Sequence, residues 1–290
     1  MQGGVTDGKG HIRKNFLCFL NKVLQTWSSS TAVKDMHPRK EKRLKIDENP
    51  FSDLKISDYS ILNSVNERTL CSRCNKSRKY FCYLCYIPVK QLEGKIPRLK
   101  LPIKIDIIKH RNEIDGKSTS CHAALIAPED VRISTYPCIP EFDSNESVVL
   151  IYPGKDSKTV KEYSSEISRN GGQFFTRAVF IDSTWNQSKG IYKDERIRSL
   201  PTIVLKNKVS QFWRHQKNSP RWYLATIEAI HQLLVELDCE KVHRNLNDVD
   251  DSESYDGKYD DLLFFFCFMY SKIHDLYDHD SLLSYKRPLE

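Results

Sequence analysis

Residues 177–185 read Arg-Ala-Val-Phe-Ile-Asp-Ser-Thr-Trp, so an apolar run with strand character leads directly into an acid, two hydroxyl side chains and an indole. In open α/β sheets, ligands collect at the carboxyl ends of strands, where one short loop can hold such groups together. The stretch therefore predicts a strand that delivers a candidate catalytic acid, Asp182, to the edge of a sheet. In an alternative interpretation, Asp182 caps the next helix, Thr184 bonds locally and Trp185 fills a gap in the core.

Short apolar and β-branched runs recur on both sides of this stretch, with polar or helix-like segments between them. This alternation favours an α/β fold with a mostly parallel sheet and crossover helices. Residues 159–169 lack Gly and Pro and predict one crossover helix, Ser219-Pro220 predicts the start of a long helix, and residues 260–276 predict a last, buried helix. The runs predicted as strands are 103–108, 123–126, 148–152, 178–181 and 202–205.

Four of the nine cysteines form two pairs with the spacing Cys-x-x-Cys. The stretch between the pairs is long enough for a tight hairpin that brings four thiolates around one ion, and a closed four-sulfur site suits Zn²⁺. Because four protein ligands leave no open position, we expect a structural zinc ion. Four buried thiols without metal are the alternative. The candidate zinc ligands are Cys71, Cys74, Cys82 and Cys85.

Two stretches interleave cations with aromatic side chains, as the binding of single-stranded RNA requires. One lies between the cysteine pairs and has an exposed hairpin tip as its alternative interpretation. The other follows Phe212, and its alternative is a set of cations that extend to solvent beside core aromatics. The candidate RNA-binding residues are Lys76, Arg78, Lys79, Trp213, Arg214, His215 and Lys217.

The charge of the chain favours a polyanionic partner. The formal net charge is +7, although residues 248–261 hold seven acids and one lysine, so the remainder is more basic than the whole. Such a surplus favours nucleic acid through counterion release. Grouped thiols without a secretion signal indicate a reducing compartment. No apolar run approaches the roughly 20 residues that a bilayer helix needs, so we expect a soluble protein without a membrane partner.

The Asp182-Ser183-Thr184-Trp185 motif, continued as Asn186-Gln187, resembles the DTW-domain family of tRNA-uridine aminocarboxypropyltransferases, most of all its animal-type members. The likeness covers roughly residues 68–275, because further blocks follow in the family's order. Bacterial members tend to carry His-Pro where this chain has His110-Arg111, and a closer Cys-x-Cys in the second cysteine pair, which puts the neighbouring loops in doubt. The further blocks are residues 68–74, 82–85, 108–110, 116–119, 151–154, 212–216 and 226–229.

The resemblance implies a fold and an activity. The fold would be SPOUT-like, with a mostly parallel sheet, flanking helices and a knotted C-terminal region that holds S-adenosylmethionine. The activity would be transfer of the 3-amino-3-carboxypropyl group from S-adenosylmethionine to N3 of a uridine in the tRNA D-loop, with release of methylthioadenosine. tRNA is then the expected partner, and no protein partner is expected.

The resemblance also implies roles for individual residues. Asp182 is the candidate general base that removes the imide proton from N3. Ser183 completes the motif, while Thr184 and Trp185 would shape the site, the indole flanking adenine or the target uracil. A structural Trp185 and a Glu228 that only stabilises a helix N-terminus are the alternatives. The candidate cofactor-binding residues are Pro153, Gly154, Thr184, Trp185, Thr226 and Glu228.

Four regions are expected along the chain: a mobile basic tail at 1–60, a four-cysteine zinc-knuckle module at 61–100, a catalytic DTW domain at 101–279 and a C-terminal tail at 280–290. Residues 37–45 form a basic cluster that fits a nuclear import signal or a phosphate-binding arm, with a solvated charge run as the alternative. The cluster favours the nucleus, with the cytoplasm as the other possibility.

Two other functions fit parts of the sequence. A non-catalytic zinc- and RNA-binding protein would account for the basic tail, the cysteine pairs and the aromatic patches, but it would leave the Asp182 loop without a role. A methyltransferase of SPOUT type would use the same cofactor and transfer its methyl group to RNA. Label from the aminobutyrate arm or from the methyl group of S-adenosylmethionine distinguishes these possibilities.

Overall fold

The structure is a computed structural model. The residues that it describes are 50–216, 219–245, 255–278 and 281–288. Residues from Pro50 onward form one compact unit. Lys217 and the basic cluster at 37–45 lie outside the described residues.

The described chain begins with two small antiparallel hairpins that carry the cysteine pairs. Strand β1 (Thr69–Leu70) pairs with β2 (Ser77–Arg78), and β3 (Phe81–Cys82) pairs with β4 (Ile87–Pro88). Each hairpin contains one Cys-x-x-Cys turn. Short 3-10 helices at Tyr59–Ser64 and Lys90–Leu92 precede and follow the hairpins.

A sheet of five strands forms the centre of the described part of the chain, in the order β6-β5-β8-β7-β9 with all neighbouring strands parallel. The strands are β5 (Lys104–Lys109), β6 (Val131–Thr135), β7 (Val148–Ile151), β8 (Arg177–Asp182) and β9 (Thr202–Ile203). The helices are α1 (Ser120–Ile126), α2 (Val160–Asn170), α3 (Trp185–Tyr192), α4 (Glu195–Arg198), α5 (Thr226–Asn245) and α6 (Phe264–Leu276), with a 3-10 turn at Asp260–Leu263. The predicted α/β fold with a mostly parallel sheet and flanking helices is confirmed, whereas the knot stays a prediction.

Both faces of the sheet are covered, as a parallel sheet requires. Ile107 and Phe180 belong to the larger apolar cluster, which also contains Phe265 of α6. Ile108, the next residue of β5, points to the opposite face, where it shares a second cluster with Ile191 of α3. The alternation of successive side chains between two buried faces explains the adjacent apolar residues Ile107–Ile108 of β5 and Ala178–Ile181 of β8, while the buried Asp106 of β5 pairs with Arg132 and Arg177.

The crossover helix predicted at 159–169 is confirmed as α2. The Thr159 hydroxyl accepts the N–H of Glu162 (3.2 Å), and the Glu162 carboxylate accepts the N–H of Thr159 (2.7 Å). This reciprocal capping box starts the helix. Gly171 ends it at φ +69°, a left-handed conformation that favours glycine.

The long helix does not start at residues 219–220, so that prediction is wrong. Helix α5 begins after Ala225, whose N–H is accepted by the side chain of Glu228 (2.8 Å), three residues further on. The residues before it have other partners, since Arg221 donates its N–H to the carbonyl of Pro288 (2.9 Å). The Ser-Pro pair therefore opens a turn that packs against the C-terminal segment.

The strand predicted at 123–126 is also wrong, because these residues belong to helix α1. All seven residues of α1 are buried. A short run that is buried on every side carries no periodicity, so the sequence pattern does not distinguish a helix from a strand. The strand that follows β5 in the sheet is instead β6, which was not predicted.

Residues 50–60 are part of the compact unit, so the predicted tail at 1–60 includes residues that pack on the core. The ring of Phe51 meets Tyr270 of α6 edge to face, at 5.0 Å between centroids, and Lys55 donates its N–H to Asp260 (2.8 Å). The last helix agrees with its predicted range, 260–276, if the opening 3-10 turn is included. Within the described residues, no helix has the length and apolar character that crossing a membrane requires.

Candidate active site

The site lies at the carboxyl ends of β5 and β8, which are neighbours in the middle of the sheet. Asp182 ends β8 and is the register partner of Lys109, which ends β5. His110 then donates its N–H to the carbonyl of Asp182 (3.0 Å). The chain leaves β5 for α1 on one face and leaves β8 for α3 on the other, so the two loops diverge. The space between them, called the crevice below, lies where α/β proteins bind their ligands.

Asp182 joins three segments through its carboxylate, which is only 5% exposed. Oδ2 accepts a hydrogen bond from the hydroxyl of Ser118 (2.6 Å), in the loop after β5, and Oδ1 accepts one from Thr226 (2.7 Å), the first residue of α5. The Ser118 hydroxyl is also 2.7 Å from that of Ser120. Asp182 is thus fixed in orientation by groups that come from the sheet edge and from a helix N-terminus.

The side chain of Asp182 does not cap α3. Thr184 is the residue at the N-cap position of that helix, and its N–H is accepted by the side chain of Gln187 (3.1 Å). Ser183 lies between them, partly buried, with its hydroxyl 3.2 Å from the carbonyl of Thr184. The local interpretation therefore holds for Thr184, while the carboxylate of Asp182 is directed at the neighbouring loop and at α5.

Trp185 lies in a group of aromatic rings at the start of α3. Its ring is 4.3 Å from that of Tyr223 and 6.1 Å from that of Tyr152, centroid to centroid. Tyr152, in turn, stacks on Tyr192 at 4.5 Å. Trp185 is half-buried, so part of the indole remains accessible. A partly exposed aromatic group at the start of the helix that follows Asp182 provides a stacking surface for a flat ligand.

Pro153 and Gly154 follow β7 at the same edge of the sheet. Gly154 donates its N–H to the hydroxyl of Ser157 (2.6 Å). A Cβ at Gly154 would lie 3.1 Å from that hydroxyl oxygen and 3.5 Å from the hydroxyl of Tyr192. The loop therefore approaches the aromatic group closely at Gly154, where a larger side chain would crowd it.

The structure places Glu228 away from the crevice and in the core. Its carboxylate is almost fully buried and accepts hydrogen bonds from the Ser210 hydroxyl (2.6 Å), from the Gln211 N–H (2.7 Å) and from the Ala225 N–H (2.8 Å). Burial raises the pKa of Glu228, and the hydrogen bonds oppose that rise. Of the alternatives for Glu228, the geometry matches the one in which it stabilises the start of α5.

Glu113 is a second acid in the loop after β5, and the sequence analysis missed it. It is half-buried, and burial raises its pKa, to which the nearby charge of Asp182 adds. Lys109, Lys117 and Arg214 act in the opposite direction. The available signal was its position between two of the family blocks, at 108–110 and 116–119.

The four cysteines of the two hairpins converge, as predicted. Their sulfur atoms all lie within 4.8 Å of one another, and the sulfurs of Cys74 and Cys82, from different hairpins, are 3.6 Å apart. A tetrahedral Zn²⁺ site with bonds of about 2.3 Å separates its sulfurs by about 3.8 Å, so the donor set fits this ion. Asn75 and Tyr86, directly after each pair, have φ values of 53° and 55° and turn the two knuckles alike.

Arg78 belongs to the cysteine cluster and not to the surface, which corrects its assignment as an RNA-binding residue. It is 6% exposed, its Nε lies 3.4 Å from the sulfur of Cys82, and its guanidinium stacks on the ring of Tyr83 (4.0 Å). Burial would raise the pKa of Cys82, but the hydrogen bonds from Arg78 and from the amides of Leu84 and Cys85 lower it to about 6. Cys82 therefore favours the thiolate form that binds metal, whereas burial raises the pKa of the neighbouring Cys85 to about 12.

The other candidate cations of the hairpins remain accessible. Lys76 is exposed, and Lys79 is partly exposed with its ammonium 5.4 Å from the ring centre of Tyr80. The aromatic residues beside them point inward, since Tyr80 meets Phe268 edge to face at 5.1 Å. Contact with phosphate is thus open to Lys76 and Lys79, while Tyr80 packs against the core.

The second candidate RNA-binding stretch divides in the same way. Trp213 is half-buried with its ring 5.1 Å from that of Phe266 in α6. Arg214 and His215 are exposed, and the Nδ1 of His215 lies 3.2 Å from the carbonyl of Leu283. The pattern matches the alternative in which cations extend to solvent beside a core aromatic.

Comparisons with known proteins show which family this chain belongs to. A model of the DTW domain matches residues 79–274, which begin between the two cysteine pairs. Three similar proteins are each described as "tRNA-uridine aminocarboxypropyltransferase 1". The one from Xenopus laevis is 36% identical over 88% of this chain and 96% of its own length. Those from Rattus norvegicus and Homo sapiens are 39% and 38% identical, over 79% and 78% of this chain and 85% and 84% of their own.

One solved structure is also similar, the SAM-dependent rRNA:acp-transferase Tsr3 from Vulcanisaeta distributa. The match covers 59% of this chain and 83% of that chain, with 12% identity and a TM-score of 0.34.

Proposed function

Because this chain belongs to the DTW-domain family, we propose that it transfers the 3-amino-3-carboxypropyl group of S-adenosylmethionine to N3 of a uridine in the tRNA D-loop. The observation that carries the proposal is an identity of 36 to 39% over most of the length of relatives described as tRNA-uridine aminocarboxypropyltransferase 1. The crevice supports it, because Asp182 lies between two diverging loops at the carboxyl edge of the sheet, where α/β proteins bind their ligands.

The reaction needs a base and a directed electrophile. Uridine N3 carries an imide proton, and Asp182 accepts it. Each carboxylate oxygen of Asp182 already accepts one hydroxyl, from Ser118 or Thr226, and keeps a second lone pair for the substrate. The bond from N3 to the γ-carbon forms as the bond from that carbon to sulfur breaks, and the sulfur leaves as the neutral thioether of methylthioadenosine.

Positioning decides which carbon of the sulfonium reacts, because three carbons of comparable activation are bonded to it. The half-exposed ring of Trp185, supported by Tyr152 and Tyr223, flanks the adenine or the target uracil. Pro153, Gly154 and the exposed hydroxyl of Thr184 extend the same wall. Their arrangement supports a site in which a flat group stacks on this aromatic group.

We also propose that the four converging cysteines hold a structural Zn²⁺ ion. Its chemistry would be to bind four thiolates and tie the two hairpins together, with no open position for a substrate. Elemental analysis of the purified protein should give one zinc per chain, and a Cys71→Ser, Cys85→Ser double variant should lose it. Full retention of zinc in that variant would contradict the assignment.

We propose that tRNA is recognised by accessible cations on the hairpins and in the stretch after Phe212. Lys76, Lys79, Arg214 and His215 provide charge and donors that phosphate contacts need. Lys217, outside the described residues, is proposed with them. We further propose nuclear residence on the basic cluster at 37–45, and a fusion to a fluorescent protein with these basic residues replaced by alanine should lose nuclear enrichment.

A labelling experiment tests the function. The protein is incubated with unmodified tRNA and with S-adenosylmethionine labelled either in the aminobutyrate arm or in the methyl group. We expect arm label in the RNA and methyl label in the released thioether. Methyl label in the RNA would show a methyltransferase, and tRNA that binds but acquires neither label would show a binding protein.

A further inference from the structure

The second cysteine knuckle touches the loop that enters the active site. A Cβ built on Gly116 would lie 3.5 Å from Cε1 and 3.6 Å from Cζ of Tyr83, so the chain at Gly116 runs beside the hydroxyl end of that ring. Tyr83 is the residue after Cys82, inside the second Cys-x-x-Cys turn. The hairpin module and the catalytic loop therefore share a direct contact.

The Tyr83 ring is also linked to the cysteine cluster. The guanidinium of Arg78 lies 4.0 Å from the ring centroid, and its Nε is 3.4 Å from the sulfur of Cys82. Arg78 is also held by a hydrogen bond to the carbonyl of Ser77 (3.0 Å) and is nearly fully buried. Tyr83 thus contacts a guanidinium that is bound to a cysteine sulfur and also lies beside the backbone of the loop.

The position of Gly116 sets that of Ser118, two residues further on, and Ser118 contacts the catalytic acid. The amides of Lys117 and Ser118 both donate to the carbonyl of Ile114, at 2.8 and 3.1 Å, which makes a compact turn around Gly116. Ser118 then donates its hydroxyl to Asp182 (2.6 Å). A turn closed by two hydrogen bonds moves as a unit, so a shift at Gly116 displaces the hydroxyl that orients Asp182.

We propose that Arg78 and Tyr83 are positioning residues, through which the ordered cysteine cluster holds the 110–119 loop where Ser118 can orient Asp182. The catalytic part of this inference rests on the proposed function. Misplacement of a catalytic group by about 1 Å can cost as much as 100-fold in rate. Disorder in the cysteine cluster would therefore lower turnover although no side chain of the crevice is lost.

The test compares Tyr83→Ala with Tyr83→Phe. Tyr83→Ala should lower kcat by about 10-fold or more with little change in KM, because positioning fails while substrate contacts remain. Amide hydrogen exchange of residues 114–118 should become faster, at unchanged zinc content. Tyr83→Phe keeps the ring and should have the wild-type kcat and the wild-type exchange rate of residues 114–118. Tyr277→Ala, at an exposed tyrosine after the end of α6, is the control and should match the wild type in both.

A double-mutant cycle separates this role from a general loss of stability. If Tyr83 acts through Ser118, the variant that combines Tyr83→Ala with Ser118→Ala should be no slower than Ser118→Ala alone. Independent, multiplying losses would overturn the inference, as would a Tyr83→Ala protein with wild-type exchange in the loop. Should Tyr83→Ala fail to fold, Arg78→Lys removes the planar stack and takes its place.

The exchange measurement keeps this inference distinct from the proposed function. If the protein transfers no aminocarboxypropyl group but the loop still exchanges faster in Tyr83→Ala, the coupling stands and the function fails. If transfer occurs and Tyr83→Ala does not change the hydrogen exchange of the loop, the proposed function stands and the coupling is wrong.

Discussion

Among single residues, Asp182 is the one at which three segments meet. It has two roles, to hold these segments through hydrogen bonds and to accept a proton, and one substitution can separate them. The carboxylate holds Ser118 and Thr226 in place, and under the proposed function it also accepts a proton. An asparagine keeps the shape and one oxygen acceptor, while the hydroxyl groups can rotate to suit its amide. The substitution therefore removes the base and leaves most of the scaffold.

We expect Asp182→Asn to bind S-adenosylmethionine with near wild-type affinity and to lose turnover by a factor of about 100 or more, the usual contribution of a general base. Calorimetry measures the binding, and single-turnover transfer to tRNA measures the chemistry. Asp275→Asn, at a carboxylate on α6 with 59% side-chain exposure, is the matched control and should change neither. A fast Asp182→Asn enzyme would restrict Asp182 to positioning.

Residue-level prediction succeeded where a side chain's role follows from its neighbours in sequence. The motif at 182–185 correctly indicated an acid at a strand end, and the cysteine spacing indicated convergence of the four sulfurs. It failed for Arg78, whose burial depends on a cysteine in another hairpin, and for Glu113, whose proximity to Asp182 is created by the sheet. Contacts between residues that are brought together only by the tertiary structure cannot be read from a pattern of neighbouring residues in the sequence.

Helices and strands, too, were predictable where local sequence specifies them and not where tertiary contacts do. Helix α2 was predictable because Thr159 and Glu162 specify its start within four residues and Gly171 specifies its end. Helix α1 was not, because it is buried on all sides and short. The start of α5 depends on where Arg221 finds its partner, a residue near the end of the chain. Long-range hydrogen bonds thus override a local start signal.

Two glycines permit a test of how α2 and α3 are built. Gly171 ends α2 at φ +69°, and a Cβ there would meet nothing within 4 Å, so the cost of Gly171→Ala is conformational. We expect a loss of about 1 kcal/mol in the free energy of unfolding. Gly190 lies inside α3 without a positive φ and also has open space, so Gly190→Ala should gain about 0.5–1 kcal/mol.

Urea unfolding of the two variants checks both signs. Neither added methyl group has a neighbour within 4 Å, so neither variant changes the packing of side chains. Any change in the free energy of unfolding then comes from the backbone conformation at the substituted residue. Two variants that change stability in the same direction would show that at least one of these helix assignments is wrong.

At the scale of the whole molecule, the hairpin module and the sheet domain share one core. His122 of α1 lies at this junction, with its ring 5.6 Å from that of Phe81, in β3, and 5.7 Å from that of Phe265, in α6. Burial lowers the pKa of His122 to about 3. The residue is therefore neutral in the folded protein at any pH near neutrality.

This buried histidine predicts a loss of stability in acid. In the unfolded chain it takes up a proton as the pH falls through about 6.5, while the folded protein does not until about pH 3. The free energy of unfolding should therefore fall with decreasing pH, by about 1 kcal/mol between pH 6.5 and 5.5 from this residue alone. Urea unfolding gives the free energy of unfolding of the wild type and of His122→Phe at each pH. The difference between the two proteins should change by about 1 kcal/mol between pH 6.5 and 5.5. A difference that stays constant with pH would refute the prediction.

The charge of the molecule predicts how it holds tRNA. With a net charge of +7 and Lys76 exposed on the hairpin module, phosphate contacts should contribute a large part of the affinity. Anisotropy titrations between about 50 and 200 mM KCl should give a steep linear fall of log K with log salt, and Lys76→Ala should reduce the slope by about 0.7–0.9, the value of one phosphate contact. Lys272→Ala, on α6, removes the same charge and should leave the slope unchanged. If both variants behave alike, net charge alone acts and the hairpin module is not where the RNA lies.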